Sequence, residues 1–481
     1  MAFRYFAMIV HPRNGSILTH RNGKLPVVSY EDDAINLHKM CANLQRLVAD
    51  AYRLILMRSE CEVLLSSDGS ITRSSSEYRT QLLIFEIVSD GPLTSPKDFT
   101  WTPQNAAFLV VVDPALAPVV EYLQHYANVG LLVNKSRLYP YSHSGWFKEA
   151  ASWIQSTMVY HGYDDVEEVQ QVSSKSEGCV LRGVMVCGSA VYFKQVGTHT
   201  FSDEIRATQL LSKSFPDYFK CPIEVNIEKK WMLMPDRGTS FPEDACSVST
   251  NQELFHSVLF KWGTIQKQSL SSAKGLEDAG MELMNGPAFE GLVQKMISDT
   301  EWCSVLSEEL AVTRETLPVD EAEFKNLFIT YTRYLSVRAS EYSVPLALVH
   351  GDLDIVNVTQ NSENEINFID FGATCISFPF RDAATFALMC GATADDLQFY
   401  FDMWVEYESA GRIRELFQLV KGLQLVFSAF VSYKQYITAE ESKRMSTRLA
   451  LRSVLRVLLQ GLVFYLERAC DATLRSCESS T

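Results

Sequence analysis

The chain has 481 residues, of which 47% are apolar and 21% are charged, as in an ordinary globular protein. This length exceeds what one hydrophobic core usually supports, so we expect two or three domains. The net charge is −15, from 43 basic and 58 acidic residues. Such a balance argues against a nucleic-acid-binding surface and is compatible with a cationic substrate, although an acidic surface also favours solubility.

The cysteines and the apolar stretches of the sequence indicate in which cellular compartment the protein is expected. Eleven cysteines are scattered without a Cys-x-x-Cys pair or a Cys/His cluster of zinc spacing, which favours free thiols in a reducing compartment. Residues 1 to 10 lack the long apolar core and the cleavage site of a signal peptide. The apolar stretch from 453 to 466 is interrupted by Arg456 and Gln460 and is too short to span a bilayer. We therefore expect a cytoplasmic protein without a membrane span.

Residues 1 to 135 have the pattern of a small α+β domain. Apolar side chains recur at helical spacing from residue 32 to 48. Short apolar or alternating runs predict strands at residues 3 to 10, 16 to 19, 61 to 65 and 80 to 87. Asn14-Gly15, between the first two runs, favours a tight hairpin turn.

This order of elements, with Leu25-Pro26 before the helix, resembles the Nudix hydrolases. The Nudix box needs glycines after the Leu-Pro pair and an acidic helix that holds magnesium. Here Val27 and Val28 stand at the glycine positions, and the helix from residue 35 to 46 has no acidic cluster. We therefore expect a degenerate, inactive domain that packs against the next lobe or against a second copy of the chain as a homodimer.

The next region reads as a helix followed by an antiparallel sheet. From residue 146 to 158, apolar and aromatic residues recur at helical spacing and predict an amphipathic helix. Strands are then predicted at residues 166 to 172, 179 to 186 and 190 to 196. A Ser-rich loop that ends at Gly178 joins the first two strands.

A lysine stands on the third of these strands. Tyr192 and Lys194 share one face of it, and Val191 and Phe193 share the other. Glu204 opens the following helix, for which Thr200 or Ser202 is a suitable cap.

An apolar strand over residues 230 to 234 comes next and ends in Pro235 and Asp236. The rest of the chain is mostly helical. Apolar stripes predict helices at residues 252 to 266, 289 to 306, 320 to 337, 381 to 389, 415 to 433 and 447 to 474.

The chemistry is concentrated between Leu348 and Thr374. Two short apolar runs flank a polar segment from Thr359 to Glu365 and predict a β-hairpin. Asp352 could accept a proton from a hydroxyl, while Asn357 and Asp370 could hold a divalent cation. Hard oxygen ligands of this kind suit magnesium, although Asp and Asn are also common turn residues.

His350-Gly351-Asp352, Asn357 and Ile369-Asp370-Phe371-Gly372 resemble the motifs of the aminoglycoside phosphotransferase and choline kinase family. The family pattern is H-G-D-x-x-x-x-N followed by an apolar strand that ends in I-D, and both parts fit without a gap. The resemblance implies an α+β chain with a bilobal, protein-kinase-like phosphotransferase fold. An antiparallel β N-lobe would span residues 146 to 238, and a mainly helical C-lobe would span residues 239 to 481.

The resemblance also assigns roles to residues earlier in the chain. Lys194 and Glu204 would form the ion pair that holds the α and β phosphates of ATP. Gly178 is what remains of the glycine-rich flap over the phosphates, and its loop is equally compatible with a plain hairpin turn. Met234 would belong to the hinge that binds adenine, and Asp236 would begin the crossing to the second lobe.

The implied activity is transfer of the γ-phosphoryl group of ATP, with magnesium, to a hydroxyl of a small molecule. Asp352 would be the base, and Asn357 and Asp370 would hold the metal. Two alternatives stay open: a catalytically silent binding or scaffold protein, and a kinase whose product is activated for elimination or condensation. Glu406 and Glu408 are candidates for binding a substrate amine, although solvent-exposed helix acids read the same way.

Overall fold

A computed structural model describes residues 139 to 462 with short gaps at 144, 176–177, 198–200, 243–244, 314–318 and 440–446. Before residue 139 it describes residues 2–10, 17–21, 25–30, 44, 53–65, 78–88, 96 and 98–102. The described residues belong to two compact units. The first draws on Met1–Thr198, Ile223–Pro235 and Ala439–Ser446, and the second draws on His199–Pro222, Asp236–Thr438 and Thr447–Thr481.

A mixed sheet near the N-terminus is the first part of the first unit. Its strands are β1 (Ala2–Val10), β2 (Ile17–His20), β3 (Val27–Tyr30), β4 (Arg53–Leu65), β5 (Tyr78–Val88) and β6 (Phe99–Thr102). Their order is β4-β5-β1-β2-β6, with β3 also beside β1. β1 and β5 are parallel, and the other pairs are antiparallel.

The four predicted strands of this region are confirmed, and the sequence pattern does not predict β3 or β6. β4 begins at Arg53, before the predicted start at residue 61, and β3 occupies the Val27-Val28 positions. β-Branched residues suit a pleated sheet, whereas the Nudix pattern needs glycines at these two positions. The predicted helix from residue 32 to 48 lies outside the described residues, apart from Leu44, which is helical and buried.

The second part of the first unit is an antiparallel sheet covered by a helix. The elements are α1 (Trp146–Tyr160), β7 (Val166–Lys175), β8 (Gly178–Met185), β9 (Ala190–Val196), β10 (Glu224–Asn226) and β11 (Trp231–Pro235). The strand order is β10-β11-β9-β8-β7. β7 extends past its predicted end at residue 172, because Lys175 still pairs with Gly178 on β8.

One face of this sheet buries aromatic side chains. Trp146 and Phe193 are buried together, with their ring centroids 6.0 Å apart. Buried Gln195 accepts hydrogen bonds from the indole nitrogens of Trp146, at 3.3 Å, and of Trp231, at 2.6 Å. The amide is therefore satisfied inside an apolar core, where an unpaired polar group would be costly.

Gln171 on β7 connects the two sheets of the first unit. Its side-chain nitrogen donates to the carbonyl oxygen of Leu56, and its oxygen accepts from the Leu56 N–H, both at 2.9 Å. The Gln171 side chain thus makes the two hydrogen bonds to Leu56 that the backbone of a neighbouring strand would make to β4. Glu86 on β5 accepts from the Gly145 N–H at 3.0 Å. The N-terminal sheet therefore packs against the sheet that follows it, while association with a second copy of the chain stays a prediction.

The second unit is mostly helical. Its helices are α2 (Glu204–Ser214), α3 (Gln252–Ser269), α4 (Ala273–Asp278), α5 (Gly286–Ile297), α6 (Thr300–Thr313), α7 (Glu321–Ala339), α8 (Phe380–Met389), α9 (Gln398–Asp402) and α10 (Ala410–Thr438). Residues 447 to 462 are also helical. With the antiparallel sheet of the first unit, these helices confirm the predicted fold class of a β lobe and a mainly helical lobe.

The helix predicted from residue 289 to 306 is two helices. Asp299 lies between α5 and α6, and its carboxylate accepts from the N–H groups of Glu301, at 2.9 Å, and Trp302, at 3.0 Å. These bonds satisfy amides at a helix N-terminus, so a new helix begins there. The apolar stripe continues across the break and conceals it in the sequence.

In the part of the chain that the structure describes, one helix, α10, is long enough and apolar enough to cross a bilayer, judged by length and composition alone. However, 61% of its most apolar window is buried inside the protein. Burial of this extent is typical of the core helix of a helical domain.

Two small sheets in the second unit support its central loops. One contains β12 (Thr239–Ser240), β15 (Val358–Gln360) and β16 (Ile366–Phe368), and the other contains β13 (Leu283–Met284), β14 (Ala347–Val349) and β17 (Cys375–Ser377). β15 and β16 are the predicted hairpin, with Val358 opposite Phe368.

A disulfide joins Cys246 to Cys390, with their Cα atoms 5.5 Å apart and 144 positions between them in the sequence. The expectation of free thiols is wrong for these two residues. Sequence spacing is a poor guide to such a pair, because the fold alone brings the buried cysteines together. Cys390 lies at the C-terminal end of α8, and the Val248 N–H donates to its carbonyl oxygen at 3.0 Å.

We expect loss of this disulfide to lower the free energy of unfolding by about 2–5 kcal/mol, the usual range for a native cross-link. The measurement is urea unfolding of the Cys246→Ser/Cys390→Ser double variant beside the parent protein, with and without a reducing agent. Cys221→Ser, at an exposed free cysteine, is the control. A parent protein with the same stability in both conditions, and no more stable than the double variant, would contradict the pairing.

Candidate active site

A fully buried strand leads into the candidate catalytic loop. β14 pairs with β17 and ends at Val349, directly before His350. His350 is inaccessible to solvent, and its Nε2 donates to the carbonyl oxygen of Ile369 at 2.9 Å. Because Ile369 precedes Asp370, this bond ties the start of the H-G-D segment to the end of the hairpin.

Gly351 is required by the space around it. Its φ is +83°, a conformation that favours glycine. A Cβ at this position would collide with the carbonyl oxygen of Ala373. The segment after Asp370 therefore packs directly against the residue before Asp352, and no larger side chain fits between them.

Asp382 holds the loop from behind. This residue lies in the first turn of α8 and is 1% exposed. Its carboxylate accepts from the backbone N–H groups of His350, at 2.8 Å, and Gly351, at 2.9 Å, and from the indole nitrogen of Trp262 at 2.6 Å. Burial raises the pKa of Asp382, against the effect of these donors. Asp382 at the start of α8 is thus a buried anchor for the loop that begins at His350.

Asp352 itself faces solvent. The side-chain nitrogen of Asn357 donates to the Asp352 carboxylate at 3.2 Å and to its carbonyl oxygen at 2.9 Å. The pKa of Asp352 is raised, first by desolvation and then by the nearby carboxylates of Asp370 and Asp354. Asp352 is exposed as a residue, so its desolvation is partial and the like charges around it support the direction of the shift.

Asp370 has an unusual backbone conformation. Its φ is +68°, which few residues other than glycine adopt. The ring of the next residue, Phe371, is buried between Phe219, at 5.2 Å between centroids, and His350, at 5.3 Å. On the other side, the Ile369 N–H donates to the carbonyl oxygen of Asn357 at 3.0 Å. The contacts of Ile369 before it and of Phe371 after it thus fix the backbone of Asp370.

Asn357 and Asp370 fit a magnesium ion. Because the Asn357 amide nitrogen faces Asp352, its oxygen is directed away from that carboxylate. Within the described ranges, no group of three or more His, Cys, Asp or Glu side chains gathers to hold a metal. Magnesium in phosphate sites commonly takes one or two protein ligands and completes its shell with water and phosphate oxygens. The donor set is suited to that mode of binding.

Lys194 and Glu204 have the environments that the sequence predicts, each in its own unit. Lys194 is half-buried on β9, opposite Val180 and Met232, and the other face of the strand is buried in the core. Glu204 is the first residue of α2 and is 2% exposed. Their ion pair stays a prediction, because the two residues belong to different units.

The cap of α2 differs from the prediction. Asp203 is the N-cap, and its carboxylate accepts from the Arg206 N–H at 3.3 Å. Thr200 lies outside the described residues. Ser202 is described, and its hydroxyl contacts the Asp370–Gly372 segment instead of the helix.

The predicted flap and hinge residues lie at strand ends. Gly178 begins β8, and a Cβ there would lie 2.5 Å from the carbonyl oxygen of Gln195, so strand packing alone explains this glycine. Met234, on β11, pairs with Tyr192 on β9. Asp236 accepts from the Gly238 N–H at 2.8 Å, which stabilises the turn after the strand. Their roles in nucleotide binding stay predictions.

The two acids considered for an amine are paired with cations of the chain. Glu406 forms an ion pair with Lys267, whose ammonium also lies 4.5 Å from the ring centroid of Tyr407. Glu408 accepts from Arg412 at 2.7 Å, and this pairing lowers its pKa to about 2. Both carboxylates thus already have a cationic partner within the chain, and their role toward a substrate amine stays a prediction.

No protein-family model matches the sequence, and no curated protein matches it either. Solved structures do. A Plasmodium vivax ethanolamine kinase is similar with a TM-score of 0.49 and 12% identity, over 68% of this chain and 96% of that one. The choline kinase LicA of Streptococcus pneumoniae gives 0.45 and 13%, over 65% and 99%. A GDP complex of aminoglycoside 2'-phosphotransferase-IIIa gives 0.41 and 15%, over 63% and 98%. At these sequence identities and TM-scores, the structural similarity does not assign a function.

Proposed function

We propose that this chain is a magnesium- and ATP-dependent phosphotransferase that transfers the γ-phosphoryl group to a hydroxyl of a small molecule. The observation that carries the proposal is the loop from His350 to Asp370. Asp352, Asn357 and Asp370 are brought together there, and buried bonds to Asp382 and His350 hold the backbone between them.

Asp352 acts as the general base. Its carboxylate accepts the proton of the substrate hydroxyl while that oxygen bonds to the γ-phosphorus, and the bond from the γ-phosphorus to the bridging oxygen breaks to release ADP. The hydrogen bond from Asn357 orients the carboxylate before the substrate arrives. A raised pKa makes Asp352 a better proton acceptor than an isolated aspartate.

Asn357 and Asp370 would hold magnesium, which supplies positive charge to the transferring phosphates. Lys194, paired with Glu204, would bind the α and β phosphates. Residues near Gly178 would cover them, and the chain from Met234 to Asp236 would bind the base of the nucleotide. The residues proposed as base and metal ligands lie at one end of the β15–β16 hairpin, an arrangement that supports phosphoryl transfer.

The test is incubation with magnesium-ATP and panels of amino alcohols, sugars and cell extract, with products identified by mass. A gain of one phosphoryl group in a small molecule supports a kinase. Loss of water or a new amide bond, with ADP released, supports a kinase that activates its product. Binding of nucleotide without any transfer would favour the silent binding protein, an alternative that the single glycine at the flap suggests.

Asp370→Ala is expected to weaken nucleotide binding in magnesium by about tenfold or more, since loss of a contact between charged groups costs roughly 1.5–3 kcal/mol. Binding without the metal should change little. Calorimetry with ATP in magnesium and in EDTA measures both values. Glu365→Gln, on the exposed hairpin turn, is the matched control. Equal affinity of the Ala variant and the parent protein in magnesium would remove Asp370 from the metal site.

A further inference from the structure

Ser202 makes two hydrogen bonds to the segment after Asp370. Its N–H donates to the carbonyl oxygen of Gly372 at 2.9 Å, and its hydroxyl donates to the carbonyl oxygen of Phe371 at 3.1 Å. The residue is 8% exposed, and all of these groups belong to the second unit. We propose that Ser202 is a positioning residue for Asp370, an inference that rests on the proposed function of Asp370 as a magnesium ligand.

The backbone of Asp370 needs external support. A left-handed conformation at a residue other than glycine is unfavourable and persists when its surroundings fix it. The carbonyl groups that Ser202 binds are those of the next two residues, so they set the direction in which the chain leaves Asp370. On the preceding side, Ile369 is already held by Asn357 and His350.

The hydrogen bonds of Ser202 also affect the surroundings of Asp352. Ala373 follows Gly372, and its carbonyl oxygen lies against Gly351, where no Cβ fits. A displacement of the Phe371 and Gly372 carbonyl groups would therefore displace the Ala373 backbone, against which Gly351 packs. Ser202 thus supports the metal ligand directly and the base through one further contact.

Ser202 also couples two functional elements. It lies two residues before Glu204, the first residue of α2. Ser202 therefore links the start of α2, which carries the acid proposed for the lysine pair, to the carbonyl groups beside the acid proposed for magnesium.

The hydroxyl contributes positioning more than stability. The N–H bond to Gly372 belongs to the backbone and remains in every variant except proline. Phe371 would keep a partner without the hydroxyl, because the Thr374 N–H also donates to its carbonyl oxygen at 3.2 Å. Ser202→Ala therefore leaves no buried carbonyl unpaired, and a large loss of stability is not expected.

The experiment compares Ser202→Ala with Ser202→Thr, which keeps a hydroxyl, and with Ser212→Ala. Ser212 lies on the same helix, is 7% exposed, and bonds only within the helix, to the carbonyl oxygen of Gln209 at 3.1 Å. Two quantities are measured: ATP affinity by calorimetry as magnesium is titrated, without a phosphoryl acceptor, and the magnesium concentration for half-maximal transfer. Thermal melting verifies folding.

We expect Ser202→Ala to raise the magnesium concentration needed in both measurements by several-fold, up to about tenfold, the lower end of the range for losing a group that orients a metal ligand, because the backbone bond to Gly372 remains. ATP affinity in EDTA should not change. Ser202→Thr should restore most of the effect, and Ser212→Ala should match the parent protein. If Ser202→Ala does not fold, Ser202→Cys, which keeps the size but weakens the donor, takes its place.

The two failures are distinguishable. A parent protein that shows magnesium-dependent ATP binding, with Ser202→Ala indistinguishable from Ser212→Ala, would overturn the role of Ser202 alone. A parent protein that shows neither magnesium-dependent binding nor transfer would overturn the proposed function, and the inference would fall with it.

Discussion

Asp352→Asn is expected to lower kcat by about two to four decades, the usual cost of losing a general base. The asparagine keeps the shape of the side chain and can still accept the hydrogen bond from Asn357, so the loop backbone should not move. It cannot take a proton from the substrate. Nucleotide affinity should therefore stay within a few-fold of the parent value, as calorimetry would verify.

Asp354→Asn is the matched control for this change. Asp354 lies two residues further along the same loop, where it caps a short turn by accepting from the Val356 N–H at 3.4 Å. Its loss should leave most of the activity. A rate for Asp352→Asn within a few-fold of the Asp354→Asn rate would exclude Asp352 as the base.

The pH profile gives a second measure of Asp352. A base works only when deprotonated, so kcat/KM falls as the pH drops through its pKa. Because desolvation and the carboxylates of Asp370 and Asp354 raise this pKa, the acid limb should lie above the ordinary range for aspartate in the free enzyme. That limb should disappear from the residual activity of Asp352→Asn.

Local chemistry explains why much of the site could be predicted from the sequence. The hairpin between Val358 and Phe368 follows from two short apolar runs and a polar turn that are contiguous in the sequence. Strand alternation likewise places Lys194 on the face opposite Phe193. An alternation of apolar and other residues predicts the two faces of a strand, because the face that is buried must be apolar.

Contacts between distant segments could not be predicted. Ser202 reads as a helix cap, but Asp203 takes that role and Ser202 binds carbonyl groups 169 and more positions away. The cysteines of the disulfide are 144 positions apart. Serine, aspartate and cysteine each have several common uses, and only the partner brought by the fold decides among them.

The buried anchor Asp382 shows the same limit. Its partners come from the catalytic loop and from Trp262 on α3, a residue that reads as one member of an apolar stripe. Gln266 on the same helix donates to the carbonyl oxygen of Leu348 at 3.1 Å. Buried polar groups must find partners, but the sequence does not say which ones.

Asp382→Ala is expected to lower the free energy of unfolding by about 3–5 kcal/mol, the scale for removing one side of a buried charged network. The change leaves the N–H groups of His350 and Gly351 and the indole N–H of Trp262 without their acceptor in a site that water does not reach. Because two of these donors belong to the catalytic loop, turnover should fall even at temperatures where the variant is folded. Urea unfolding and kcat measured on the same preparation test both effects.

Asp320→Ala is the control for Asp382→Ala, because it also removes an aspartate at a helix start. Asp320 caps α7 on the surface, where water can replace it as a partner of the Glu323 N–H. Loss of a cap of this kind costs about 0.5–2 kcal/mol and should not affect turnover. If Asp382→Ala cost no more than Asp320→Ala and left kcat unchanged, Asp382 would be an ordinary first-turn acid. A larger cost with a matching loss of turnover would instead show that the position of Asp352 depends on a carboxylate thirty residues further along the chain.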